Sequence, residues 1–465
     1  MGDLVLRFEA GTLLLEGLSE ETPQDALPPG CAWDPRVGLH RAPAWRYREV
    51  VTHIVRDLRA RSEPGARFRD EARGYNTLAL EHRAAREAFG HQREALEAWR
   101  ARGSRGVVVL PTGAGKSYVA EMAALSAQRS TLVVAPTLDL MNQWHDVLTT
   151  AFGCPVGLLG GGYCEPRDLT VATYDSAYLH MERLGARWGL VVFDECHHLP
   201  GPSYLLAAEC SLAPFRLGLT ATLERADGRE ALLDGPVGPV VYRRGIKDLA
   251  GAFLADYDVE TVQVELTEEE SEAYARARGV YKDFLASSGI NMAAPDGWGR
   301  FLQATSRSSA GRRAFLAYRE QKLLSLSSQA KIHALGGLLK QHSRDRVLVF
   351  TNDNDTVYTI SRTFLLPALT HQTDVKERRE LLARFNAGAY PALVTSRVLN
   401  EGVNIPAANV AIVLSGTSSV REHVQRLGRI LRRVEGKRAL LYEVITRNTV
   451  EERQSDRRRE HDAYR

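Results

Sequence analysis

The chain has 465 residues, enough for two or three domains that each bury a core, and its 44% hydrophobic and 25% charged residues are ordinary for soluble globular protein. Sixty basic against 57 acidic residues leave a net charge of +3, too small to announce nucleic acid, so any basic surface must be local. Five cysteines (Cys31, Cys154, Cys164, Cys196, Cys210) form no regular framework and fit a reduced interior; no apolar run approaches membrane-spanning length, and the opening residues read as neither a signal peptide nor a myristoylation site. The expectation is a soluble, cytoplasmic protein. In chain order, Leu4–Phe8 and Gly11–Gly17 predict a short hairpin, a Pro/Gly-bearing loop runs from Pro23 to Pro43, and a helix follows over about 46–59. Residues 1–70 form a small α+β module, and the Arg-rich stretch up to residue 87 reads as a linker or crossing segment.

From 88 to 245, strands at Val107–Leu110, Thr131–Ala135, Leu169–Thr173, Leu190–Phe193 and Phe215–Thr220 alternate with helical patterns such as Ser117–Ala127 and Leu138–Thr149. That alternation predicts a parallel sheet covered on both faces. Residues 246–455 hold a second such sheet, with strands at Arg346–Phe350, Ala392–Thr395, Val410–Leu414 and Arg438–Val444 and helices near Thr356–Phe364 and Glu377–Asn386. A charged tail, 456–465, follows. Inserted at 266–328 is a helical segment with an acidic start, Glu268–Glu272. Between Arg300 and Lys322 it carries Arg307, Arg312, Arg313 and Arg319 against one acid, Glu320, with Phe301, Phe315 and Tyr318 interleaved. Basic residues with aromatics suit a nucleic-acid strand, whose phosphates are neutralised and whose bases stack; the plainer alternative is a helical hairpin with an aromatic core and solvated arginines.

The sharpest motif is Val107-Val-Val-Leu-Pro-Thr-Gly-Ala-Gly-Lys-Ser117, an apolar strand running into a glycine-rich loop. Glycines let successive N–H groups curl toward an anion, and the next helix adds its positive end. Thr112, Gly113, Ala114 and Gly115 form the cradle, Lys116 reaches the β- and γ-phosphates, and the Ser117 hydroxyl holds Mg²⁺. Leu110 stands where the strict pattern has its first glycine. Downstream, Leu190-Val-Val-Phe-Asp-Glu-Cys-His-His198 delivers two carboxylates from a buried strand. Alternation turns Asp194 toward the metal and Glu195 toward the attacking water. Cys196, His197 and His198 lack a second pair at zinc spacing and read as structural or coupling residues. The second sheet has no phosphate loop, so the second lobe is expected to supply groups across a cleft.

Three further segments complete a set: Thr220-Ala-Thr222, Thr395-Ser-Arg-Val-Leu-Asn-Glu-Gly-Val-Asn-Ile-Pro406, and Gln425-Arg-Leu-Gly-Arg-Ile-Leu-Arg432. With the phosphate loop and Asp-Glu-Cys-His, they resemble the ordered motifs of superfamily 2 helicases, and specifically the XPB/Ssl2 branch of 3′→5′ repair and transcription DNA helicases. Trp33-Asp-Pro-Arg36 and Tyr47-Arg-Glu49 extend the likeness into the N-terminal module, which resembles the damage-recognition domain of archaeal relatives. A plain scaffold is an equal reading of that module. The resemblance implies a fold of two RecA-like α/β parallel-sheet domains in tandem, with 266–328 as a thumb-like insertion, and it implies ATP with Mg²⁺. Gln92 falls where an adenine-recognising glutamine stands, though the usual Pro-Tyr before it is missing. Gln425, Arg429 and Arg432 match positions that reach the γ-phosphate, where such arginines are worth roughly 10³–10⁵ in rate.

By the same match, Thr137, Thr173, Thr351, Thr395 and Arg397 are candidate phosphate-backbone grips, while Thr220 and Thr222 couple them to the Asp-Glu loop. Arg312, Arg313 and Arg319 would hold DNA from the thumb. Arg225-Ala226-Asp227 stands where relatives carry an Arg-Glu-Asp loop implicated in strand separation, and Asn404 replaces an aspartate. The missing charge at Ala226 suggests opening weaker than translocation. The expected activity is an ATP-dependent DNA helicase or translocase acting at single/double-strand junctions in excision repair or transcription-linked opening, as a monomer. Two alternatives stay open: a DNA-binding remodeller using ATP as a clamp, and the motor partner of a nuclease.

Overall fold

The computed structural model describes residues 3–61, 67–83, 86–225, 227–249, 256–294, 296–396, 408–415 and 438–452. Its chain divides into two compact units, 1–248 and 249–465.

The first unit begins with β1 (Leu4–Glu9) and β2 (Thr12–Glu16), joined by Ala10 and Gly11. Both turn residues have positive φ (47° and 73°), as a two-residue hairpin turn whose twist matches its strands requires. β3 (Ala32–Asp34), β4 (Leu39–Pro43), α1 (Tyr47–Arg61) and β5 (Phe68–Asp70) complete this portion, in sheet order β3-β4-β2-β1-β5. The portion is not a free-standing module. Leu212, Ala72 and Tyr75 share its core with Leu6, Leu13, Val50 and Ile54. At the hairpin tip, the Gly11 N–H donates to the Glu182 carbonyl (3.0 Å), and a Cβ at Gly11 would stand 2.6 Å from Cys210 Sγ.

The Arg-rich stretch that follows is a packed crossing segment. Glu71 N–H bonds Leu6 O, Asn76 N–H bonds Ser130 Oγ, and the Gln128 amide clasps both backbone groups of Leu80. Buried Glu121 receives His82 at 2.9 Å and Arg86 at 2.7 Å.

Next come α2 (Gly90–Ala101), β6 (Arg105–Val109), α3 (Lys116–Ala127), β7 (Thr131–Ala135), α4 (Leu138–Phe152), β8 (Val156–Gly160) and β9 (Tyr163–Glu165). β10 (Leu169–Thr173), α5 (Tyr174–Leu184), β11 (Leu190–Asp194), α6 (Leu205–Glu209), β12 (Phe215–Thr220), β13 (Val240–Arg243) and a short α7 (Ile246–Leu249) follow. The sheet order is β13-β6-β12-β11-β7-β10-β8-β9, parallel except for the β8–β9 hairpin. The apolar runs of β6, β7 and β11 are buried because helices cover both faces. In such a sheet every strand delivers its last residue to one edge, and ligands bind there.

The second unit holds β14 (Asp256–Val264), α8 (Glu268–Ser287), α9 (Gly297–Arg307), α10 (Ser309–Leu326), α11 (Gln329–Gln341), β15 (Val347–Phe350) and α12 (Asn354–Phe364). It continues with β16 (Ala368–Leu369), α13 (Val375–Ala387), β17 (Ala392–Thr395), β18 (Val410–Val413) and β19 (Arg438–Thr446). All pairs in its order β14-β19-β18-β15-β17-β16 are parallel. The helical insertion starts on a capping box, Thr267 with Glu270. Buried Lys331 of α11 ties this unit together: its Nζ donates to Leu414 O (2.5 Å) and to Glu451 Oε2 (2.6 Å). No described helix is long and apolar enough to cross a membrane.

Candidate nucleotide site and nucleic-acid face

The loop after β6 turns on Gly113 (φ 92°) and Gly115 (φ 79°), a backbone region that side-chain-bearing residues rarely adopt. Lys116 opens α3, and its Nζ donates to Leu110 O (3.2 Å) and lies 3.9 Å from Glu195 Oε1. Thr112, Gly113 and Ala114 precede it in the loop, and Ser117 follows it in the first turn of α3. Gln92 lies behind this loop. Its Nε2 donates to the carbonyls of Ala114 (3.1 Å) and Gly115 (3.3 Å), and its Oε1 accepts the Phe89 N–H (3.0 Å). The buried Gln92 amide therefore braces the loop in this conformation, rather than standing open to a base. His91, which sequence reasoning passed over, is a second brace, with Nε2 2.8 Å from Ala114 O.

β11 ends on Asp194, beside β12 and β7 at the same sheet edge. Its carboxylate is fixed from two sides: Trp144 Nε1–H donates to Oδ2 (2.7 Å) and Glu195 N–H to Oδ1 (3.0 Å). Burial and the adjacent Glu195 carboxylate push the Asp194 pKa up, against the pull of the indole N–H and Lys116. Glu195 leaves the strand with φ 47°, left-handed backbone in a residue with a Cβ, a strain that accumulates at working sites. This kink, as well as strand alternation, separates the two carboxylates.

Thr220, at the end of β12, is the next node. Its Oγ1 lies 2.9 Å from His197 Nδ1 and 3.4 Å from Glu195 Oε2, and donates to Thr222 O (2.8 Å). Half-buried Glu195 and buried His197, Thr220 and Thr222 thus form one chain of contacts. Arg225 joins it through His197 O (2.7 Å) while making a bidentate pair with Asp227 (2.7 Å at both oxygens). That pair holds the Asp227 carboxyl well below the usual carboxylate range. The Cys196 thiol is fully buried, which pushes its pKa up. Among the described residues no cluster of His, Cys, Asp and Glu could hold a metal ion.

Thr137 and Thr173 are the N-caps of α4 and α5, accepting Leu140 N–H and Ser176 N–H (each 3.2 Å). Their strands β7 and β10 are neighbours, so two helix N-termini sit side by side, each with N–H groups for an anion. Thr351 and Thr395 differ from the expectation of direct phosphate contact. Both are fully buried, joined by a Thr351 N–H to Thr395 O bond (2.9 Å), and the Thr351 hydroxyl donates to Asp353 O. From inside the lobe the Thr351 hydroxyl shapes the loop after β15.

The insertion requires a second correction. Phe301 is fully buried and, with Tyr281, Phe284 and Tyr318, forms the hairpin core against which Phe315 packs, so these rings are no stacking platform. The α10 side chains Arg312, Arg313 and Arg319 are exposed. Arg397, Asn404, Gln425, Arg429 and Arg432 lie outside the described residues, as does Ala226.

A phosphate loop, a strand-end Asp-Glu pair and a Thr-Ala-Thr relay on one parallel sheet, followed by a second parallel sheet, define a P-loop motor of the helicase class. Comparison with known proteins is specific. The Xeroderma pigmentosum group B helicase damage recognition domain matches residues 6–72, the type III restriction enzyme res subunit 87–225, and the helicase conserved C-terminal domain 330–434. The chain is 39% identical over 424 residues to the DNA 3'-5' translocase XPB2 of Sulfurisphaera tokodaii, covering 85% of this chain and 96% of that protein. It is 30% identical to the DNA 3'-5' helicase XPB of Mycobacterium tuberculosis, covering 80% of this chain but 62% of the relative. The helicase domain of Pyrococcus furiosus Hef shares the fold, with TM-score 0.55 at 18% identity over 78% of this chain and 97% of that one. The chain belongs to the XPB family of helicases.

Proposed function

We propose that this protein is an ATP-hydrolysing DNA helicase of the XPB type, translocating 3′→5′ and working in repair or transcription-linked DNA opening. The observation that carries the reading is the approach of Lys116 to Glu195 beside the doubly bonded carboxylate of Asp194. Backbone N–H groups of 112–115 and the Lys116 ammonium bind the triphosphate. The Asp194 carboxylate at the end of a buried strand and the Ser117 hydroxyl in the first turn of α3 are hard-oxygen donors of the kind a small dication takes, and Ser117 and Asp194 would hold Mg²⁺ there. The ion, when bound, screens charge on the phosphate oxygens. Glu195 orients the attacking water and takes its proton. Gln425, Arg429 and Arg432 act on the same γ-phosphate, a role supported by their motif alone.

DNA is gripped through its backbone. The paired helix N-termini capped by Thr137 and Thr173 suit phosphates of any sequence, and Arg312, Arg313 and Arg319 add a basic strip. Thr220 relays between that face and Glu195. In this reading the motor is an intracellular monomer; a nuclease partner would appear as a stoichiometric second chain on purification. The test is ATP turnover with and without duplex DNA, together with displacement of a triplex-forming strand from either end. ATP-dependent displacement in the 3′→5′ direction is expected, and turnover indifferent to DNA would refute the reading.

A further inference from the structure

Trp144 is 3% exposed and its indole N–H is spent on one acceptor, the Asp194 carboxylate, at 2.7 Å. A buried indole needs some acceptor, and a backbone carbonyl would suffice; here it takes a charged group at the nucleotide site. The bond is charge-assisted and short, so it fixes the rotation of the carboxylate as well as satisfying the indole. Oδ1 is held by the Glu195 N–H, leaving one lone pair on each oxygen for a cation or its water.

The second observation concerns the element that carries the indole. Trp144 stands on α4, seven residues after the N-cap Thr137, two turns along a rod of about 10 Å. The first residue of α4, Leu138, is 43% exposed and Asp139 and Leu140 are half-buried, whereas Met141, Trp144 and Leu148 are buried. One end of the helix therefore faces outward at a phosphate-binding position while its middle touches Asp194. α5 makes a parallel connection: from its first residue, the Tyr174 hydroxyl donates to Asp194 O (2.9 Å), right after the N-cap Thr173. Both helices thus reach the same residue, α4 through its middle at the carboxylate and α5 through its first residue at the carbonyl.

We infer that Trp144 is a positioning residue that sets the Asp194 carboxylate for the dication and, through α4, makes that setting sensitive to DNA at the helix N-terminus. The inference rests on the reading of Asp194 as a cation ligand. A shift of α4 along its axis by a few tenths of an ångström lengthens or shortens the indole–carboxylate bond directly, because Trp144 is packed and cannot re-aim independently.

Trp144→Phe removes the N–H and keeps most of the apolar volume. The half-saturating Mg²⁺ concentration for turnover is expected to rise by roughly tenfold or more, as for other residues that orient a metal ligand. Stimulation of turnover by DNA is expected to fall. Mn²⁺ binding with a non-hydrolysable ATP analogue, followed by electron paramagnetic resonance, should weaken in step without relying on activity. Unchanged metal dependence, with only a lower melting temperature, would overturn the inference and leave Trp144 a packing residue. Asp194→Asn is the companion variant. If it too leaves Mn²⁺ binding intact, the reading of Asp194 fails; if it abolishes binding while Trp144→Phe does not, only the role of Trp144 fails. Should Trp144→Phe not fold, wild-type protein labelled with ¹⁵N-tryptophan decides between the outcomes. One of its six indole N–H signals should be broadened by Mn²⁺ with analogue and shifted by duplex DNA, and no such response overturns the inference.

Discussion

Lys331→Met is the most quantitative test of how the second unit is held. The Lys331 ammonium is fully buried, 2.6 Å from Glu451 Oε2 and 2.5 Å from Leu414 O, and Glu451 Oε2 also accepts the Thr446 N–H (3.0 Å). These contacts join α11 to the residue after β18 and to the end of β19. Leaving Glu451 charged in a buried site after removing its partner costs about 3–5 kcal/mol, including the hydrogen bond to Leu414 that goes with it. For a domain of this size that is a fall in melting temperature of about 6–20 °C. Differential scanning calorimetry with Glu451→Leu and the double variant completes the cycle. The double variant should recover much of the stability, since a buried pair replaced by apolar groups is often near neutral. A single-variant cost below about 1 kcal/mol, or a double variant no better than either single, would refute the reasoning.

Gly115→Ala places a Cβ against the Gln92 amide at φ 79°, a strain of about 1–3 kcal/mol; binding of a fluorescent ATP analogue should weaken roughly fivefold to a hundredfold with the fold intact. Gly11→Val, at φ 73° and against Cys210 Sγ, should lift the hairpin from the first lobe. Cys210, whose thiol burial pushes up to about 11, should then react faster with a disulfide reagent at pH 8, and an unchanged rate would show the tip stays docked. Replacing Arg312, Arg313 and Arg319 together with Ala should weaken DNA binding and reduce its salt slope by about one for each phosphate no longer neutralised; an unaltered slope would make α10 a solvated face.

The parallel sheets were legible because β6, β7 and β11 carry continuous apolar runs and β10 and β12 are predominantly apolar between turn residues, and a buried parallel strand leaves little else to choose. β8 escaped notice because Gly157, Gly160, Gly161 and Gly162 read as turn residues, although Gly157 is needed where Glu165 O and Arg167 N approach. β14, at the edge of its sheet, escaped because Asp256, Asp258 and Glu260 interrupt the apolar run by which the buried strands were recognised. The phosphate loop and the Asp-Glu pair were visible since their chemistry is carried by adjacent residues. Trp144 was not, because it lies 50 residues from Asp194 and its spacing with Met141 and Leu148 on α4 matches an ordinary core stripe. The same ambiguity worked the other way in the insertion, where Phe301 and Tyr318 at helical spacing are core. Thr351 and Thr395 show a further limit: a motif places a hydroxyl at a strand end without saying which way it turns.

Single-turnover ATP hydrolysis by Glu195→Gln, in saturating duplex DNA, addresses the whole engine at once. The amide keeps the size of the side chain but cannot take a proton, so cleavage should slow by roughly 10²–10⁴ while nucleotide affinity stays within a few-fold of wild type. Hydrolysis at nearly the wild-type rate would mean that another group activates the water, and the site assembled around Lys116, Asp194 and Glu195 would not be where the chemistry happens.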